Sequence, residues 1–258
     1  MNPEDMGKIT DIIPEKSRNA LFESPLRSIG YALNGYLNIL FGPLIELGAV
    51  QDAAAKSLAE SVNDKTKNLT EQDLDRNKLG ISLKAMDSVH YQIENESLRE
   101  MFANLISKSI NKHENTDASP LMVTTLSSMS PETAEFLINW HRNFPEGNST
   151  LSSVDKMQMV DGQEIGSSPL LQNIIIFKDL SVYHNEYVVD ELGHLGIFEL
   201  HKDGNLTDKL WQTHYNVVEK IASTQYPQLQ NATQKTIAKP GYIRLSPFGV
   251  SFIKLLID

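Results

Sequence analysis

The stretch from Leu98 to Leu137 limits the fold of this chain more than any other. Leu98, Met101, Phe102, Leu105, Ile106 and Ile110 recur at the i, i+3, i+4 spacing that lines one side of a helix. That face has to be covered by other elements. Ser119-Pro120 and Ser130-Pro131 each place a hydroxyl able to cap free N–H groups directly before a residue whose fixed φ suits the first helical turn. The second of these starts leads into Phe136, Leu137 and Trp140. Three consecutive helices with apolar faces predict a helical bundle.

Upstream, Ser28 to Ile45 reads SIGYALNGYLNILFGPLI and carries no charge over 18 residues. That length is at the lower edge of a membrane span. Gly42-Pro43 interrupts it, Asn34 and Asn38 repeat on one face, and Glu46 closes it, which suits a helix packed inside a protein. Asp52 introduces an alanine-rich segment of strong helical propensity. Thr70 and Asp73 have the spacing of a capping box, predicting a helix in which Leu79, Leu83, Met86, Val89 and Ile93 form one stripe. These elements define an expected bundle domain over residues 1–143.

Residues 144–168 read as a linker. Phe144 to Ser153 is rich in Pro, Gly, Asn and Ser, and Asp161-Gly162 favours a two-residue hairpin turn, with an irregular loop as the alternative. Ser168-Pro169 then predicts another helix, with Leu170, Leu171, Ile174, Ile175 and Phe177 on its apolar side. Asn185 to Leu195 is a helix with Val188, Val189, Leu192 and Leu195 inward, leading past Gly196 into a short strand. Tyr242 to Leu245 is a second strand, and Ser246-Pro247 starts a last helix. This order predicts a winged-helix-like domain over 169–258 with an insertion near 201–240, in which Tyr215 to Ile221 has helical pattern. The expected fold class is mostly α, an N-terminal helical bundle followed by a small α+β winged-helix-like C-terminal unit.

The chemistry-bearing residues are scattered. The chain of 258 residues has 23 basic and 33 acidic side chains, a net charge of −10, which opposes general attraction to phosphates or anionic lipid. It contains no cysteine, so thiol chemistry and disulfides are excluded. Asn185 to Leu195, the helix that would enter a DNA groove, holds Glu186, Asp190 and Glu191 and no Lys or Arg, the reverse of what backbone neutralisation needs. His90, His113, His141, His184, His194, His201 and His214 form no metal-binding spacing, and only His184, His194 and His201 are near enough in sequence to converge. Asp73, Asp75, Glu94, Glu96 and Glu100 lie near helix ends, where they complement the helix dipole. No GxSxG, GxxxxGK[ST] or GxGxxG pattern occurs. No catalytic, metal or cofactor-binding residue is predicted, and no cofactor.

Four segments together resemble the abortive-infection alpha family of bacterial phage-defence proteins: LREMFANLISKSIN at 98–111, SPLMVTTLSSMSPETAEFL at 119–137, VVDELGHLGIFEL at 188–200 and IRLSPFGVSFIKLL at 243–256. The resemblance implies a protein that acts against phage and supplies no reaction. The expectation is a non-enzymatic interaction or sensor protein working through a protein partner or self-association. The alternatives are a membrane-associated effector using residues 28–45 and a DNA-binding regulator using the C-terminal unit, with nucleic acid the less favoured partner. The N-terminus lacks the pattern of a secretory signal, so the expected location is the cytoplasm, with peripheral attachment to the inner face of the membrane as its variant.

Overall fold

A computed structural model describes residues 51–257 together with Gly42, Ile45 and Glu46. Apart from Gly42 and Ile45, which are helical, the 28–45 stretch lies outside the described residues. The chain divides into two compact units, residues 1–127 and 128–258.

In the first unit, α1 (Asp52–Thr66) and α2 (Leu79–Ser88) pack against α3 (Glu96–Ile110), and α4 (Pro120–Ser128) closes the unit. α3 starts at Asn95, whose side chain accepts the Leu98 N–H at 3.0 Å. It is buried around most of its circumference, including Asn104, Ser107 and Ser109, as a helix surrounded by others must be. The Thr70–Asp73 pairing forms, but it closes a single 3₁₀ turn, Glu71–Asp73, rather than opening the long helix expected there. α2 begins later, at Leu79, and buries Ile81, Ser82, Ala85 and Met86.

The second unit begins with α5 (Pro131–Asn143), capped by Ser130, whose hydroxyl accepts the Thr133 N–H at 3.2 Å. There follow β1 (Asn148–Val160), β2 (Gln163–Ile176), β3 (Val182–His184), α6 (Glu186–His194), β4 (Phe198–His201), α7 (Lys209–Gln225), β5 (Gln234–Leu245) and α8 (Pro247–Leu256). The strands form one antiparallel sheet in the order β3-β2-β1-β5-β4. Helices cover both of its faces. Ser149 accepts a hydrogen bond from Trp140 Nε1 of α5 at 2.8 Å, while its neighbour Thr150 lies against His214 of α7 on the opposite side. Further along that second face Val154, Ile174 and Ile176 pack on Val218 and Ala222 of α7.

This sheet overturns the expected fold class. The protein is not mostly helical, and no N-terminal bundle runs through residue 143, because α5 belongs with the sheet. Nor is a winged helix formed, since the strand expected at Tyr242–Leu245 is only the end of the twelve-residue β5, which pairs with β1 along its length. The supposed linker, residues 144–168, holds β1, the β1–β2 turn and the start of β2. The Ser and Thr residues of β1, read as loop composition, are small hydroxyl groups buried between two helical layers. The helix expected from Ser168-Pro169 is strand β2 instead. Asn173 to Phe177 are five consecutive buried residues, three of them isoleucine, which suits a strand covered on both faces better than one stripe of a helix. The β1–β2 turn falls on Asp161 and Gly162, both with positive φ (50° and 78°), as a two-residue hairpin of this twist requires.

Candidate functional site

The polar centre of the second unit is built where α6 meets β2 and the start of α5. Two steps along β1, from Ser152 to Val154, span three along β2, from Ile174 back to Leu171, so β2 carries an extra residue at this point. Asn173 takes up that bulge with φ of 54°, a left-handed conformation that asparagine tolerates better than most residues. Its side-chain amide donates to Asp190 Oδ1 at 2.9 Å and to the Glu186 carbonyl at 3.4 Å. The next N–H of β2, on Gln172, donates to Glu186 Oε1 at 3.1 Å.

The third carboxylate of α6 closes the arrangement. Glu191 accepts the Ser130 N–H at 2.9 Å and the Ser130 hydroxyl at 2.8 Å, and Thr133 Oγ1 also donates to it. It sits at the N-terminus of α5, where a negative charge complements the helix dipole. Asn185, the cap of α6, donates from its side-chain amide to Glu132 Oε1 at 2.7 Å. The acidic residues that distinguish this helix in the sequence are therefore engaged by β2 and α5.

On the other sheet face His214 is fully buried beneath α7. Its Nδ1 lies 3.5 Å from Thr150 Oγ1, its Nε2 has no hydrogen-bond partner, and its ring meets Trp211 edge-on at 5.4 Å. Burial lowers its pKa below the ordinary histidine value. Beside it the Tyr215 hydroxyl donates to the Gly241 carbonyl at 2.8 Å and accepts the Leu206 N–H at 3.0 Å, tying α7 to β5 and to the preceding loop. A buried imidazole held neutral against threonine and aromatic rings packs the interior. Proton transfer to a substrate would need access that this one lacks.

His184, His194 and His201 do not converge. His184 Nε2 stands 3.6 Å from Glu186, His194 Nδ1 bonds the Asp190 carbonyl at 2.8 Å, and His201 stacks on Tyr242 at 4.3 Å. Among the described residues no group of three or more His, Asp or Glu side chains is placed to hold a metal ion. No described helix is long and apolar enough to cross a membrane.

In the first unit the helix-end carboxylates tie loops and helices together. Asp73 accepts both the hydroxyl and the N–H of Thr70, at 2.6 and 2.9 Å, and bonds His113 Nε2 at 3.1 Å. These hydrogen bonds bring its pKa down to about 2, those from the Thr70 hydroxyl and amide first. Asp75 accepts from Asn115 at 3.0 Å and from the Asn77 N–H at 3.0 Å. Glu94 accepts the Gln51 N–H at 2.9 Å, and Glu96 lies in the first turn of α3. Glu100, one turn into α3, pairs with Lys65 at 2.6 Å and accepts from Ser61 at 2.8 Å, so it joins α3 to α1 rather than capping a terminus.

Sequence reasoning placed Ser130 as a helix cap but not as a partner of Glu191, and it missed Asn173, Asn115 and His214 as partners in these networks. Only Asn173 carried a local sign, an amide in the middle of an otherwise aliphatic run. Compared with known proteins, residues 50–256 match the model of a family described as abortive infection alpha. Neither a curated protein nor a solved structure matches the chain.

Proposed function

This chain belongs to the abortive infection alpha family, whose model matches residues 50–256, and from that premise we propose that it is a bacterial antiphage defence protein acting through protein contacts rather than by catalysis. The family match is the observation that carries the defence role. The contact mode is supported by how the polar side chains are used. Glu186, Asp190 and Glu191 serve β2 and α5, while Asp73, Asp75 and Glu100 serve neighbouring loops and helices. Carboxylates committed in this way make α6 a poor surface for DNA phosphates.

The experiment is a plaque assay over a phage panel, in cells with and without the gene, together with incubation of the purified protein with nucleic acid, nucleotides and peptides. The expected result is reduced plating of at least one phage and no turnover. Equal plating across the panel would overturn the defence role. Hydrolysis abolished by substituting one of the polar clusters above would overturn the non-enzymatic reading.

A further inference from the structure

The two outermost strands of the sheet are short, three residues in β3 and four in β4. β2 is different. β3 pairs only with Ile174, Ile175 and Ile176, and the N–H of Gln172 is taken by Glu186. From Gln163 to Leu171, β2 pairs with β1 on one side and with no strand among the described residues on the other. Gln163 to Pro169 are all exposed. Nine residues of strand present an edge about 30 Å long, whose register against β1 shifts by one residue between Pro169 and Leu171 and again between Glu164 and Gly166, leaving Gly166 to Pro169 as its regular middle. Only another extended chain matches such a row of backbone groups.

We infer that the Gln163–Leu171 edge of β2 is the dimerisation surface of this protein, pairing antiparallel with the same edge of a second copy. Charge favours this occupant. The chain as a whole is at −10, which disfavours self-association over most of its surface. The only charge between Gln163 and Leu171 is Glu164, and Lys235 neutralises it at 2.6 Å. Shape favours it as well. Gly166, Ser167 and Ser168 occupy the middle of the edge, so a two-fold axis there brings small neutral residues together, with exposed Ile165 beside them. Natural edges are commonly guarded by charge or proline. This one has a single proline, Pro169, and register shifts on either side of Gly166–Pro169, but no unpaired charge, since Lys239, which donates to Ser167 Oγ at 2.9 Å, is itself paired with Asp155 at 2.6 Å. Antiparallel pairing uses the edge once in each copy, so assembly closes at two, with the two five-stranded sheets joined into one of ten strands.

The inference rests on the protein-contact reading above and is tested on the full chain by sedimentation at about 1 to 100 µM, where an interface below roughly 1,200 Å² dissociates on dilution. Gly166→Lys is the informative variant. A Cβ at Gly166 meets nothing within 4 Å, so the fold tolerates the side chain, while two lysines are brought close across the axis. Gly80→Lys, at another glycine with open space, adds the same charge elsewhere. The expected result is a concentration-dependent doubling of mass for wild type and G80K, a monomer for G166K, and recovery of the dimer on mixing G166K with G166E. A wild type that is monomeric throughout, or a G166K that dimerises like wild type, overturns the inference. The plaque assay keeps the two readings apart. Phage restriction by a monomeric wild type sinks the pairing alone, and a dimer without restriction sinks the defence role alone.

Discussion

Replacing Asn173 separates the two reasons why an asparagine stands in the middle of β2. Its amide makes one hydrogen bond to a carboxylate, at 2.9 Å to Asp190, and a longer one to the Glu186 carbonyl. A hydrogen bond to a charged group is worth about 1.5 to 3 kcal/mol. Its backbone, at φ 54°, costs a residue with an ordinary Cβ about 1 kcal/mol more than glycine. Asn173→Ala loses the bonds and takes the strain, for a total of about 3 kcal/mol. Asn173→Gly loses the same bonds without the strain, for about 2 kcal/mol. Both tryptophans, Trp140 and Trp211, lie in this unit, so their fluorescence during urea unfolding reports on it. With a denaturant slope of about 2 kcal/mol per molar, the midpoint falls by about 1.5 M for alanine and about 1 M for glycine. A glycine variant no more stable than the alanine variant would refute the left-handed bulge. A loss below about 0.5 kcal/mol in both would refute the bond to Asp190.

Three further outcomes follow from the packing at β5, β2 and α7. Gly241→Ala places a Cβ 2.5 Å from the His201 carbonyl oxygen and 2.7 Å from that of Leu151, both backbone atoms, so the variant should lose more than about 2 kcal/mol or fail to fold. Gly166→Ala, with open space around it, should stay within about 0.5 kcal/mol on the same urea assay, and equal losses at the two sites would contradict this reading. His214 has its pKa lowered by burial, so as pH falls through 6.5 the unfolded chain takes up the proton first and folding weakens. Its contribution is complete above that pH and is lost as pH drops toward the depressed folded value. The stability advantage of wild type over His214→Gln should therefore shrink between pH 8 and pH 5, and a constant difference would show that the imidazole is not buried neutral.

The helices were legible because their signals are local. Asn95, Ser130, Asn185 and Ser246 each cap a helix from the position directly before it, and the apolar residues of α3 follow within fifteen positions. The sheet was not, because its determinants are distant or ambiguous. β1 is buried on both faces by α5 and α7, so no alternation of apolar and polar residues marks it, and its Ser149, Thr150 and Ser152 resemble a loop. β2 is exposed at one end and buried at the other, with an extra residue between, and each of those breaks the two-residue period. Pro169 supplied the wrong prompt, since its fixed φ fits an exposed strand as well as a first helical turn. The carboxylates of α6 were visible as an acidic helix. Their partners were not, because Ser130 lies 61 residues from Glu191 and Asn173 lies 17 from Asp190.

The bulge at Asn173 is also where β2 changes its role. On its C-terminal side the strand is held by β3 and by the carboxylates of α6, and its isoleucines fill the core. On its N-terminal side β1 is its only paired strand among the described residues, with Lys235 and Lys239 of β5 reaching Glu164 and Ser167, and its exposed residues leave the outer row of backbone groups to solvent or to another chain. A stabilising lock and an open edge thus share one strand, and the two respond differently to substitution. A lesion at Asn173 loosens α6 from the sheet and lowers stability whether or not a second copy is present. A charge at Gly166 leaves the core contacts untouched and acts only where the edge is used. Comparing the two separates loss of fold from loss of contact, which a defence phenotype alone cannot do.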